Sequence, residues 1–161
     1  MDIPAPTPNP EDGFRHLPVM LDAVVTSLAP TPAGILLDAT VGGGGHAAAL
    51  LEARPDCRLL GIDRDADAIG AAGLRLAPFG ERVRLVRAAF GDLGTVLEDE
   101  LGQECLAGFL FDLGVSSPQL DRPDRGFSYR EPGPLDMRMD QRQGLIAADV
   151  VNGYAESDLA A

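Results

Sequence analysis

Ile35-Leu36-Leu37-Asp38-Ala39-Thr40-Val41-Gly42-Gly43-Gly44-Gly45-His46 is the stretch whose reading decides the fold. A short apolar run bounded by glycine reads as a buried strand. His46 to Arg54 (HAAALLEAR) then reads as a helix ended by Pro55. Toward the C-terminus the alternation repeats. A second strand is predicted over Arg58 to Ile62, ending at Asp63, and a helix over Ala66 to Leu76. A third strand follows over Arg82 to Val86, a helix over Leu93 to Leu101, and a fourth strand over Gly108 to Asp112, apolar until its final acid. Strands alternating with helices of this length imply right-handed βαβ units and a parallel sheet covered on both faces. The fold class is α/β.

Toward the N-terminus, Asp22 to Leu28 reads as a weakly amphipathic helix closed by Pro30 and Pro32. Residues 1–13, with prolines at 4, 6, 8 and 10, read as a disordered tail rather than a secretory signal. No stretch approaches the roughly 20 apolar residues of a membrane span, which places the protein in the cytoplasm. Beyond Asp112 the rhythm breaks. Gly114 to Gly144 reads as a long loop with Pro118, Pro123, Pro132 and Pro134, and a loop of this length in a compact domain is usually functional. A short helix around Ile146 to Val151 follows, and Ser157 resembles the N-cap of another. The expected organisation is a tail (1–13), a sheet with its ligand edge and long loop (14–144), and the start of a helical segment (145–161). Four strands before the loop, with Phe109-Leu110-Phe111 suited to an interior strand buried on both faces, suggest a domain that is incomplete as it stands.

The net charge of −12 argues against this chain alone wrapping a polyanion. The charge is uneven. Residues 1–115 carry eight arginines against seventeen acids, whereas Ser116 to Arg142 carries five of each. Arg125, Arg130 and Arg138 are therefore open to two readings, phosphate contact or local pairing with acids such as Asp124 and Asp136. Cys57 and Cys105 have no metal-like or disulfide spacing and read as small buried hydrophobes. His16 and His46 lack a third ligand nearby, so no metal site is expected.

The glycines sit where ligands of open α/β sheets bind, outside the carboxyl ends of the strands. Glycine lets backbone approach a ligand where a Cβ would collide, and the N–H groups opening the helix favour an anionic group. Gly42-x-Gly44-x-x-Ala47 also satisfies the dinucleotide fingerprint, so a nicotinamide-dependent oxidoreductase is the rival reading. Asp63, eighteen residues after Gly45, stands where a carboxylate accepts from both hydroxyls of a ribose; the plainer role is capping the helix that opens near Asp65.

Six motifs occur in order: His16-Leu17-Pro18-Val19, Asp38 to His46, Ile62-Asp63-Arg64-Asp65, Phe111-Asp112-Leu113-Gly114-Val115-Ser116-Ser117-Pro118-Gln119-Leu120-Asp121, Arg125-Gly126-Phe127-Ser128 and Gly133-Pro134-Leu135-Asp136-Met137-Arg138-Met139-Asp140. Together they resemble the bacterial small-subunit ribosomal RNA cytosine-N4 methyltransferases, called ribosomal RNA small subunit methyltransferase H. The resemblance runs from about His16 to the end of the chain. It implies a Rossmann-like methyltransferase fold of which this chain holds the first four strands. It further implies S-adenosylmethionine as cofactor, and small-subunit ribosomal RNA or the ribosomal subunit as partner. By motif position the family's cofactor contacts fall on Gly44, Gly45, His46, Asp63, Phe90, Asp112 and Gln119. Asp38 takes the acidic position that opens the methyltransferase loop, and Thr40 replaces a more usual glycine. Asp112 and Ser116-Ser117-Pro118-Gln119 would line the gap where the amine meets the methyl donor, and Asp112 is the one catalytic candidate. No general base is evident. The family also places a C-terminal half and an inserted helical region after these motifs, so residues 1–161 alone are expected to be inactive.

Overall fold

The computed structural model describes residues 18–160; the tail 1–13 and His16-Leu17 lie outside them. Four parallel strands are ordered β3-β2-β1-β4: β1 (Ile35–Asp38), β2 (Arg58–Asp63), β3 (Val83–Arg87) and β4 (Leu106–Leu110). The helices are α1 (Leu21–Leu28), α2 (Gly45–Ala53), α3 (Ala66–Leu76), α4 (Leu93–Leu101), α5 (Ser117–Asp121), α6 (Ala147–Gly153) and α7 (Glu156–Leu159). The chain steps outward from β1 through α2 to β2 and through α3 to β3. It then crosses back through α4 to place β4 on the other side of β1. The strand order thus reverses between β1 and β4, which opens a crevice at their carboxyl ends.

Side chains alternate along a strand, so β1 feeds two cores. Leu36 packs with Leu50, Leu51, Leu59, Ala72 and Leu76 beneath α1, α2 and α3. Ile35 and Leu37 pack with Leu60, Ile62 and the α4 residue Val96. Both faces of β1 and β2 are covered, as the alternation of elements predicts. No helix among the described residues is long and apolar enough to cross a membrane.

β4 departs from expectation in extent and in burial. It runs Leu106–Leu110, two residues earlier than Gly108 to Asp112, because its partner β1 stops at Asp38, opposite Leu110. Phe111 and Asp112 therefore lie beyond the strand. Among the described residues β4 pairs with β1 alone, and Phe109 is 64% exposed, so it is an edge here rather than a strand buried on both faces. Cys57 is buried as expected, but Cys105 is exposed, because it precedes β4 instead of joining it. Ser157 caps nothing: it lies inside α7, whose N-cap is Ala155.

Candidate functional site

The glycine loop joins β1 to α2 over the switch point. Gly42 and Gly44 have φ of 51° and 76°, the left-handed region that costs a Cβ-bearing residue most. Not every glycine there makes room for a ligand. A Cβ on Gly45 would collide with Pro18, and one on Gly44 would press on the Leu76 side chain at 3.2 Å. Those two glycines serve close packing of the loop against its own protein, a use that local sequence does not distinguish from ligand approach. Gly43 alone of the four has nothing within 4 Å of its Cβ position.

Four side chains converge on this edge. Asp38 ends β1 and is 1% exposed, with Thr40 N–H donating to its Oδ1 at 3.2 Å. Burial pushes its carboxyl up to about 6; the Thr40 N–H and His46 work against that, and the negative fields of Asp112 and Asp63 add to it. Asp63, ending β2, accepts from Gly42 N–H at 2.9 Å on Oδ2 and from Asp65 N–H at 2.9 Å on Oδ1. It does not cap α3. That role belongs to Asp65, whose side chain accepts from Asp67 N–H. Buried His46 donates Nε2–H to Val19 O at 2.9 Å, which leaves Nδ1 facing Asp112 Oδ2 at 3.9 Å. The Asp112 side chain is 51% exposed, and its backbone N–H donates to Thr40 Oγ1 at 2.7 Å. Glycine loop, Asp63, His46 and Asp112 are thus brought together from β1, β2 and the segment after β4.

Phe90 and Gln119 are placed differently. Phe90 is 50% exposed and meets the edge of Phe111 with ring centroids 6.3 Å apart. Phe111 in turn meets Phe109 at 6.1 Å, so an open aromatic cluster stands beside the crevice. Gln119 is buried and internally bonded: its Oε1 accepts from Ser116 N–H at 3.0 Å and its Nε2 donates to Asp65 at 2.9 Å. The buried Asp65 itself was missed as a site residue by sequence reasoning. Its sequence signals were its place in the Ile62-Asp63-Arg64-Asp65 motif and at the opening of the helix that follows.

Four arginines of the long loop are ion-paired, but of Arg125 and Arg138 only Arg138 follows the expected local pairing: Arg125 pairs with Asp65 and Asp67, not with Asp124. Arg125 is 3% exposed and bonded to Asp65, and Arg138 lies against Asp136, whose carboxyl it holds down at about 2. Arg122 pairs with Asp67 and Asp124, and Arg142 with Asp140. Among the described residues, Arg130 is the arginine of this loop that makes no ion pair, and it is exposed.

Carboxylates around a glycine loop at a switch point suit a ligand bearing hydroxyls and positive charge. The fold and this edge define a Rossmann-like α/β protein with an acidic, glycine-lined ligand edge. Residues 13–161 match the model of the MraW methylase family, and the chain belongs to that family. It is 54% identical over 147 residues to the ribosomal RNA small subunit methyltransferase H of Thermobifida fusca (strain YX), covering 89% of this chain and 44% of that protein. With the protein of the same description from Geotalea uraniireducens (strain Rf4) it shares 53% over 148 residues, 91% of this chain and 47% of the other. The chain spans just under half the length of these relatives. The crystal structure of an rRNA methylase from Streptococcus thermophilus superposes with a TM-score of 0.46 at 23% identity, covering 57% of this chain and 53% of that one.

Proposed function

We propose that this chain carries the S-adenosylmethionine-binding part of a cytoplasmic enzyme that methylates N4 of a cytosine in 16S ribosomal RNA. One observation carries the reading: Asp63, at the carboxyl end of β2, is held by the glycine loop through Gly42 N–H and by Asp65 N–H. Each carboxylate oxygen accepts one such bond and keeps capacity for a ribose hydroxyl. Asp38 and Asp112 supply negative charge beside it, which suits a sulfonium and an α-ammonium group. The residues present fit that cofactor, with Gly44, Gly45, His46, Asp63, Phe90, Asp112 and Gln119 as the proposed contacts. Gln119 would reach it only by turning from Asp65 or by sharing its remaining N–H.

When bound, S-adenosylmethionine supplies an electrophilic methyl group. The protein's part is to position the amine in line with it. Asp112, half exposed beside the crevice, would accept a hydrogen bond from that amine and steady charge developing on it. The open β4 edge with Phe109 supports a further proposal, that residues 1–161 bind cofactor without completing transfer.

The discriminating experiment is equilibrium binding of labelled S-adenosylmethionine and of NADH to this chain. Retention of the first and not of the second is expected. Retention of NADH alone would replace this reading with the oxidoreductase.

A further inference from the structure

The long segment after β4 is fastened to the strand ends by buried charge. Arg125 donates from one terminal nitrogen to Asp65 Oδ2 at 2.7 Å and from the other to Asp67 Oδ2 at 3.1 Å. The nitrogen on Asp65 also faces the carbonyls of Arg138 and Met139 at 3.2 and 3.3 Å. One guanidinium therefore ties both ends of the loop to the start of α3. A second fastening joins Arg87, at the end of β3, to Asp140 at 2.8 Å. Burial works against ionisation of Asp65, but the hydrogen bonds from Arg125, Gln119 and Asp67 N–H hold its carboxyl below the usual range.

The consequence for the site runs through two carboxylates. Asp65 Oδ2 receives Arg125 and Gln119, while Asp65 N–H grips Asp63 Oδ1 and Gly42 N–H grips Asp63 Oδ2. The orientation of Asp63 is thus set from one side by the glycine loop and from the other by a residue that Arg125 holds. Arg125 does not itself face the crevice; it is 3% exposed within the loop.

We propose that Arg125 is a positioning residue, which acts through Asp65 to align Asp63 and so couples docking of the 117–143 loop to occupancy of the cofactor edge. A buried ion pair tolerates no half-made state, because removing one partner strands an uncompensated charge. Loop docking and ligand affinity then share one coupling free energy, and the coupling is reciprocal. The inference rests on the reading that Asp63 holds the ribose.

The test is calorimetric titration of S-adenosylmethionine into wild type, Arg125→Met, Arg125→Lys and Val96→Ala, each with its thermal melt. Val96 is the buried residue of α4, takes no part in the Arg125–Asp65–Asp63 hydrogen bonds, and controls for lost stability. Arg125→Met should weaken binding by about fivefold or more, the lower end of coupling between sites. Arg125→Lys should recover part of the loss, and Val96→Ala should stay within about twofold of wild type although it melts lower. Wild-type affinity in a cooperatively melting Arg125→Met, or equal weakening in Val96→Ala, overturns the coupling alone. If Arg125→Met does not fold, Arg125→Gln, which also removes the charge, decides on the same criterion. Amide exchange gives the reciprocal readout in wild type: ligand should slow exchange of Met137 N–H, which donates to Arg125 O, and unchanged exchange overturns the proposal. Absence of binding by wild type overturns the reading beneath it and the coupling with it.

Discussion

This edge buries two carboxylates, Asp38 at the end of β1 and Asp65 at the N-cap of α3, and the two are kept in opposite ways. Asp38 is 1% exposed with one backbone N–H and no arginine, and its carboxyl is pushed up to about 6. Asp65 is 4% exposed, yet Arg125, Gln119 and its own N-cap bond hold it below the ordinary range. Burial alone does not set the charge of an acid at this edge; the partners delivered by distant chain do. Asp65 is neutralised as part of the scaffold. Asp38 keeps uncompensated charge, which suits a site that waits for a cationic ligand.

The largest effect expected from this contrast is in stability. Asp65→Ala leaves Arg125 buried without its main partner and removes the N-cap of α3, and should cost about 3–5 kcal/mol in urea unfolding. A loss below about 1 kcal/mol would mean that the pair behaves as a solvated one.

Next comes the pH dependence, where the two acids have opposite signs. Asp38, with a raised folded pKa, contributes stability that is fully present below about 3.8 and is lost as pH rises through about 6. Asp65, with a lowered one, contributes stability present above the ordinary Asp range and lost as pH falls below it. Asp38→Asn should therefore raise the unfolding free energy at pH 8 by about 2–3 kcal/mol and change it little at pH 4. An equal change at both pH values would place the effect in packing instead of charge.

A smaller effect concerns binding. Ionised Asp38 attracts positive charge, so affinity for S-adenosylmethionine should rise roughly fivefold from pH 5 to pH 7.5, about 1 kcal/mol for a charge pair of this kind. Asp38→Asn should flatten that rise. A wild-type affinity independent of pH over this range would remove Asp38 from the ligand's field.

The smallest separates loop arginines by their partners. In a protein of the relatives' full length, Arg130→Ala should reduce the salt slope of binding to single-stranded RNA by about 0.7, the share of one phosphate contact. Arg138→Ala should leave the slope unchanged, since Asp136 already neutralises that side chain. A drop in slope with Arg138→Ala would mean that the Asp136 pair opens on RNA.

These contrasts bear on what could be read in advance. The order of elements was legible because each strand and helix carries its own burial period and its own glycine or proline boundary. Asp63 and Asp112 were legible as acids following apolar runs. Arg138 was legible as a partner of Asp136, whereas Arg125 fits neither alternative offered for it, being buried against Asp65 and Asp67. The reason is separation: Arg125 meets Asp65 across 60 residues of chain, and no local pattern encodes such a pairing.

By itself, then, the sequence determined the α/β alternation, the parallel sheet, the glycine loop over the strand ends and the family. The first three follow from short-range periodicity and from where glycine interrupts it; the family follows from the resemblance of six motifs occurring in order. Tertiary structure alone decided that β4 stops at Leu110 with Phe109 exposed, and that Gly45 is required by Pro18. It also decided that Gln119 faces Asp65, and that of two buried acids one has its pKa lowered by its partners while the other has it raised by burial. Desolvation and ion pairing are properties of what surrounds a group in space, and those surroundings exist only once distant parts of the chain have packed together.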